Sequence, residues 1–358
     1  MNLISKNTMK KSQQGITVIE LMIASAIGLF LTVGVITLFI DSKRNDYAGV
    51  ALAEIQESAR IAMEMIAKDV RMAGFQGCAD INSINLNIIA DDAPTANFGL
   101  TALRGYEVDN GNWANGEEFD NEDIENRAVV GSDVIAIQRA ISGDTVVRPD
   151  SVSNANVKVN NNNFGFAQND AVLISNCENA DLFRITSNPD SGTWAHAQNV
   201  NSSNRLGTIY GDGAIVYRFS STAYFVADTG RDDAQGNAIF ALYRQTDNLA
   251  LGGGDFDIEE LVEGVESLQI LYGERLATNN IRYVPADTVG LNMGNVVSIK
   301  IGLLVASNEV VRDNTDNQVY ALPGEDIGPA SDAGNVTHPD DNRLRKAFTL
   351  AVGIRNRS

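Results

Sequence analysis

Histidine and cysteine are nearly missing from this chain of 358 residues, with two of each. His196 and His338 sit in polar stretches, without a second His or a Cys at ligand-like spacing, which argues against a zinc site. Cys78 and Cys177 allow one disulfide, or else two buried thiols. Basic residues are scarce as well: 27 Lys and Arg stand against 46 Asp and Glu, for a formal net charge of −19. Nucleic-acid binding is driven by cations on phosphates, so no direct contact with nucleic acid is expected. There is no Gly-x-Ser-x-Gly, no Walker loop and no dinucleotide fingerprint, and Gly252-Gly253-Gly254 is a loose turn. Neither Asp255–Asp257 nor Asp313–Asp316 fits the calcium loop of an EF-hand. The expectation is no enzyme, no catalytic residue, no cofactor and no metal. Proline is absent before Pro94, so nothing forces a break in the helical pattern of that stretch.

What is present is one long apolar run, Ile16–Ile40, whose only charge is Glu20. At ~1.5 Å per helical residue it spans ~37 Å, enough for a hydrocarbon core of ~30 Å. The charged residues before it are Lys6, Lys10 and Lys11, which belong on the cytoplasmic side and put the rest of the chain outside the inner membrane. A secretory signal peptide does not fit, because no small-x-small cleavage site follows a short apolar core. A carboxylate in the bilayer costs ~2.5 kcal/mol or more and calls for a positive partner. Cleavage after Gly15 would create one, the α-amine of Ile16, within a helical turn of Glu20 or of the Glu of a neighbouring copy.

Gly15-Ile16-Thr17-Val18-Ile19-Glu20-Leu21, behind a short Lys-bearing leader, resembles the class III signal of type IV prepilins and type II secretion pseudopilins. The resemblance implies a leader, 1–15, removed by prepilin peptidase, and methylation of the new N-terminus at Ile16. It also implies that Glu20 directs assembly. Ile16 stands where the family usually has Phe.

The helical pattern continues past the apolar run. Ala48, Leu52, Ile55, Ala59, Ala62, Ile66, Val70 and Ala73 form a stripe, with Glu54, Glu57, Arg60, Glu64, Lys68 and Arg71 off it. Gly28, Gly34 and Gly49 weaken the helix locally, and Gly74 and Gly77 are stop signals. The divisions expected are a transmembrane and assembly helix over 16–40, its amphipathic continuation over 41–76 and a β-rich periplasmic head over 77–358. Predicted strands are Asp133–Gln138, Ala171–Ser175, Leu182–Thr186, Ala214–Phe219, Ala223–Ala227, Ala238–Arg244, Ser267–Tyr272, Val296–Ala306 and Ala347–Ile354. Ile258, Leu261, Val262 and Val265 fall at helical spacing, which predicts a short helix with Glu259, Glu260, Glu263 and Glu266 in solvent. Arg355 and Arg357 either anchor to carboxylates or form a solvated tail. A long helix followed by many strands without alternating helices gives an α+β class with a mainly antiparallel sheet.

Asp257–Gly273, Val296–Ser307 and Arg343–Arg357 together resemble the PilW family of type IV pilus minor pilins, as do Val70–Cys78 and Val172–Cys177. Leu261-Val262-Glu263-Gly264-Val265 is shared, more distantly, with the secretion pseudopilin family of GspJ. The resemblance implies a pilin-like fold and a subunit of the tip and priming complex that initiates and caps the pilus. Its partners would be other minor pilins, the major pilin, prepilin peptidase and a tip adhesin, and its location the inner membrane and then the pilus. The alternatives are a minor pseudopilin of a type II secretion system and a membrane-anchored binding domain.

Overall fold

The computed structural model describes residues 15–77, 86–91, 102–109, 112–114, 122–247, 256–331 and 336–357. The chain divides into two compact units, Met1–Val50 and Ala51–Ser358, and helix α1, Val18–Arg71, contributes to both. In the first unit the apolar side chains of α1 lie open: Ile19, Leu21, Met22, Leu29, Phe30, Leu38 and Phe39 are all exposed. An 18-residue window of this helix is long and apolar enough to cross a membrane, and none of it is buried. Its hydroxyls are satisfied within the helix, as an apolar solvent requires. Ser25 donates to Leu21 O (2.8 Å), Thr32 to Gly28 O (2.8 Å) and Thr37 to Val33 O (2.9 Å).

In the second unit the end of α1 buries one stripe: Ala51, Ile55, Ala59, Ala62, Met63, Ile66, Ala67 and Val70. The predicted stripe holds from Ile55 to Ala73, while Leu52 is 36% exposed. The helix stops where glycine supplies left-handed backbone, with φ of +72° at Gly74 and +101° at Gly77. The Gly74 N–H then donates to Gln138 O (2.9 Å).

The strands, numbered along the chain, begin with β1 (Leu86–Ile88), β2 (Leu103–Asp109), β3 (Asn112–Ala114), β4 (Val134–Val146), β5 (Asn156–Lys158) and β6 (Ala171–Ser175). Then come β7 (Ala180–Arg184), β8 (Thr193–Ala195), β9 (Ile215–Asp232), β10 (Ala238–Asp247), β11 (Phe256–Glu263) and β12 (Val265–Arg275). The last are β13 (Ile281–Val284), β14 (Val296–Val310), β15 (Tyr320–Ala321), β16 (Asp326–Pro329), β17 (Thr337–His338) and β18 (Arg343–Gly353). A nine-stranded sheet runs β1-β7-β6-β9-β4-β2-β3, with β10 on the far half of β9 and β11 on β10. A four-stranded sheet runs β13-β12-β14-β18, and β15-β16-β17 and β5-β8 form two small ones. Pairing is antiparallel apart from β1 with β7 and β16 with β17 among the described strands. The fold is therefore α+β, as expected.

The buried stripe of α1 shares one core with both large sheets. Ile55, Ala62, Ile66 and Val70 cluster with Leu103, Ile137, Tyr224 and Val226 of the first sheet, and with Ile270, Ile299, Ile301 and Leu303 of the second. One buried ion pair pins the helix: Arg139 of β4 meets Asp69 at 2.8 Å, and the Tyr224 hydroxyl donates to the same carboxylate at 2.8 Å.

The expected short helix at 258–265 is instead β11, continuing into β12. Its helical spacing of Ile and Val is overridden by pairing with Ala241–Asp247 of β10 from one end of β11 to the other. Charge supports the strand, since Glu259 reaches Arg244 (2.6 Å) and Glu260 and Glu263 reach Arg231 (2.5 and 3.3 Å) across it. Glu266, expected in solvent, is buried against Arg345 at 2.6 Å.

Between β11 and β12 the chain changes sheets at Gly264. Its N–H donates to Phe240 O in the first sheet, and its carbonyl accepts from Ala306 N in the second, both at 2.8 Å. Its φ is +84°, and an added Cβ would lie 2.6 Å from Ala306 O. Gly264→Ala is therefore expected to lower stability by about 3 kcal/mol or more, from left-handed strain plus a backbone clash. Urea unfolding of the detergent-solubilised chain measures this, and a loss under ~1 kcal/mol would contradict the role given to Gly264.

Candidate functional site

The residues singled out at the N-terminal end of α1 come together in one local arrangement. Gly15, Ile16 and Thr17 precede the helix and are exposed, so the Gly15–Ile16 bond lies in open, non-helical chain. Thr17 is the N-cap residue, and Glu20 is the third residue of the helix. The Thr17 N–H and hydroxyl donate to Glu20 Oε2 at 2.9 and 2.8 Å, and the Glu20 N–H donates to Thr17 Oγ1 at 3.3 Å. This reciprocal capping box satisfies two backbone N–H groups that would otherwise be unpaired in an apolar solvent. The carboxylate also lies at the positive end of the helix dipole. Thr17 is the residue that the sequence reading passed over; Thr-x-x-Glu ahead of an apolar run was the available signal.

The long exposed face that follows is the chemical counterpart of this end. Gly28, Gly34 and Gly49 have nothing within 4 Å of where a Cβ would sit, so a neighbouring backbone could approach closely there. The apolar side chains between them make up the largest exposed apolar surface among the described residues.

Polar groups inside the head are engaged in structure. Arg345 of β18 is fully buried between Glu266 (2.6 Å) and Asp341 (2.7 Å), with Asp316 at 3.5 Å. Burial alone would lower its pKa, but Glu266 and Asp341 raise it. Arg343, two residues away, meets Asp341 at 2.7 Å and Glu266 at 3.3 Å. Asp316 also takes Arg312 (2.7 Å) and the Tyr320 hydroxyl (2.8 Å), so it is committed to this network. Arg357 is buried and anchors through the carbonyls of Met293 and Val296, so the C-terminal stretch is docked rather than solvated.

Both histidines are buried, contrary to the polar-loop expectation. His196 follows β8 and His338 ends β17, and both rings turn inward onto aromatic neighbours. His338 contacts the carbonyls of Gln318 and Pro339 at 2.9 and 3.0 Å and lies edge-on to Tyr320. His196 lies edge-on to Phe183, with both ring nitrogens buried and unpartnered, and burial lowers its pKa. Among the described residues no group of three His, Cys, Asp or Glu is placed to hold a metal ion.

Cys78 lies outside the described residues. Cys177 sits in the β6–β7 turn with φ of +69°. The chain reaches Gly77 beside that turn, since a Cβ there would lie 3.0 Å from the Ser175 side chain.

Comparison with known proteins adds one finding. Residues 223–356, from the middle of β9 to the C-terminal turn, match the family model for type IV pilus-assembly protein W. No curated protein matches the chain, and no solved structure does. The match supports a type IV pilus assembly family.

The approach of Gly77 to Ser175 leads us to expect a Cys78–Cys177 bridge. Intact-mass measurement should show alkylation by iodoacetamide only after reduction. Removal of either cysteine should cost about 4 kcal/mol through the long loop closed.

Proposed function

We propose, with the family match of the head as premise, that the chain is a minor pilin of the type IV pilus. Prepilin peptidase cleaves it after Gly15, Ile16 becomes the methylated N-terminus, and Ile16–Ile40 holds it in the inner membrane with the head in the periplasm. It then enters the filament with other minor pilins, in a priming and tip complex that initiates and caps assembly on the major pilin and presents a tip adhesin. The role is structural, and no enzyme chemistry is assigned to the head. The observation that supports this reading is an exposed apolar run, Ile16–Ile40, whose single carboxylate lies near its N-terminal end.

The chemistry follows from the capping geometry. Glu20 already accepts the N–H of Thr17, so the α-amine released one residue earlier falls within its reach. In oil, neither charge is stable alone. A carboxylate on one subunit and an ammonium on the next neutralise each other when the helices are in register, and this makes assembly selective for that register. The apolar faces supply the remaining contact by close packing.

Two measurements test the reading. Mass spectrometry of the mature protein should give an N-terminus at a methylated Ile16, dependent on the peptidase. Glu20→Gln keeps an acceptor for Thr17 but removes the charge, and should reduce incorporation into sheared pili at least about tenfold, equivalent to ~1.4 kcal/mol per subunit. Normal incorporation of this variant, or a working protein that retains Met1, would overturn the proposal.

A further inference from the structure

The segment ahead of β4 closes the seam between the two large sheets. The Asp133 N–H donates to Leu268 O at 2.8 Å, and Asp133 Oδ2 accepts from the Ile270 N–H at 2.6 Å. Ser132 Oγ accepts from the Leu268 N–H at 3.0 Å, and Gln269 Nε2 donates to Gly131 O at 2.6 Å. The Asp133 carboxyl is thereby buried at the join, 4% exposed, and its other contact is the carboxyl of Glu107 on β2. Glu107 Oε1 accepts from the Ala286 N–H at 2.9 Å, which ties the loop after β13 to the same point.

The two acids line a cavity of about 150 Å³ together with Gln269, Asp287 and Glu325. Asp287 comes from the loop after β13, and Glu325 from the turn between β15 and β16. Behind the pair stands the buried Tyr272 phenol of β12, with Tyr106 of β2 near it. Every charged side chain lining the cavity among the described residues is acidic. Two carboxylates in contact cannot hydrogen-bond without a proton between them. Burial raises the pKa of both; Glu107 and Asp287 raise Asp133 further, while the hydrogen bonds with Asp133 and the Ala286 N–H offset part of the rise at Glu107.

We propose that Glu107 and Asp133 hold one proton between them in the folded head, so that the seam between the sheets is a proton-loaded clasp that alkaline pH opens. The folded pair binds its proton more tightly than the unfolded chain does. Its contribution to stability is therefore fully present below the ordinary carboxylate range and is lost as pH rises through the folded value. Asp287 and Glu325, the other acids lining the cavity, add to the repulsion at the pair. His196 works in the opposite direction, since a histidine buried neutral gains stability as pH rises through the ordinary histidine range. The comparison of wild type with variant isolates the acid pair from this effect.

The test uses the full chain in detergent micelles, with thermal unfolding followed by tryptophan fluorescence from about pH 5 to about pH 9, in EDTA and in excess calcium. Asp133→Asn keeps an oxygen for Ile270 and offers an amide N–H to Glu107, a permanent imitation of the protonated acid. The expected result is a midpoint that, relative to this variant, falls by roughly 3–6 °C in wild type toward alkaline pH. Glu107→Gln should behave in the same way through Ala286 and Asp133, and serves if the first variant does not fold. A carboxylic-acid infrared band should persist in wild type at neutral pH and vanish in either variant. A wild-type midpoint that tracks the variants across the whole range would overturn the proposal, as would absence of that band. Calcium restoring the wild-type midpoint, but not that of the variants, would also overturn it and make the cavity a cation site.

Discussion

The constraint from which the rest follows is a single apolar stripe on α1 that must be covered on two sides. Ile55, Ala62, Ile66 and Val70 are 1% exposed or less and contact strands of both large sheets within one core. Each large side chain in such a stripe contributes about 1.5–3 kcal/mol on burial. The small residues Ala59, Ala62 and Ala67 let backbone come close where a larger side chain would hold it away. Gly264 supplies a covalent crossing between the two sheets, and its backbone hydrogen-bonds to both. The ion pair of Asp69 with Arg139 then fixes the rotation of the helix against the first sheet, because a turned helix would leave a buried charge unpaired.

Charge follows the same logic. In a chain so rich in acids, arginine is placed where carboxylates converge. Arg343 and Arg345 lie two apart on β18 and so share a face of it. A slip of β18 by one residue would swing both guanidiniums away and leave Glu266 and Asp341 buried without a cation. Such pairs contribute little to net stability compared with an apolar replacement, yet breaking one costs several kcal/mol. Register is what they specify. Glu107 and Asp133 are the exception, an acid pair at a seam with no basic partner lining its cavity.

Much of this arrangement was legible in the residues. The apolar run, the stripe from Ile55 on and the glycine stop at Gly74 depend on local periodicity and backbone freedom, and they stand where the pattern put them. Strand β6 was read to the residue, and β10, β12, β14 and β18 within a few residues, because β-branched runs between turn formers leave little choice. Segments Ala214–Phe219 and Ala223–Ala227 proved to be one strand, β9, because Ser220, Ser221 and Thr222 are paired on the ladder and continue it. β11 was misread because its apolar spacing suits a helix, and only the partner strand β10 decides otherwise. The capping role of Thr17 was visible but unread. The inward turn of both histidines, the burial of Glu266 and the acid pair at the seam were not visible, since each depends on what a distant strand brings to it.

The N-terminal signal and the matched head have no residue in common. Gly15–Leu21 carries the resemblance to the signal of type IV prepilins and type II secretion pseudopilins, through Gly15 and the charge of Glu20 in an apolar run. Residues 223–356 carry the family match, and they include the sheet crossing, the β12–β14–β18 ladder and the arginine network. A chance likeness in one would say nothing about the other. The signal fits type IV prepilins and secretion pseudopilins alike, so it is the match of residues 223–356 that points to pilus assembly. A head that folds by covering the end of α1 cannot form without placing that helix.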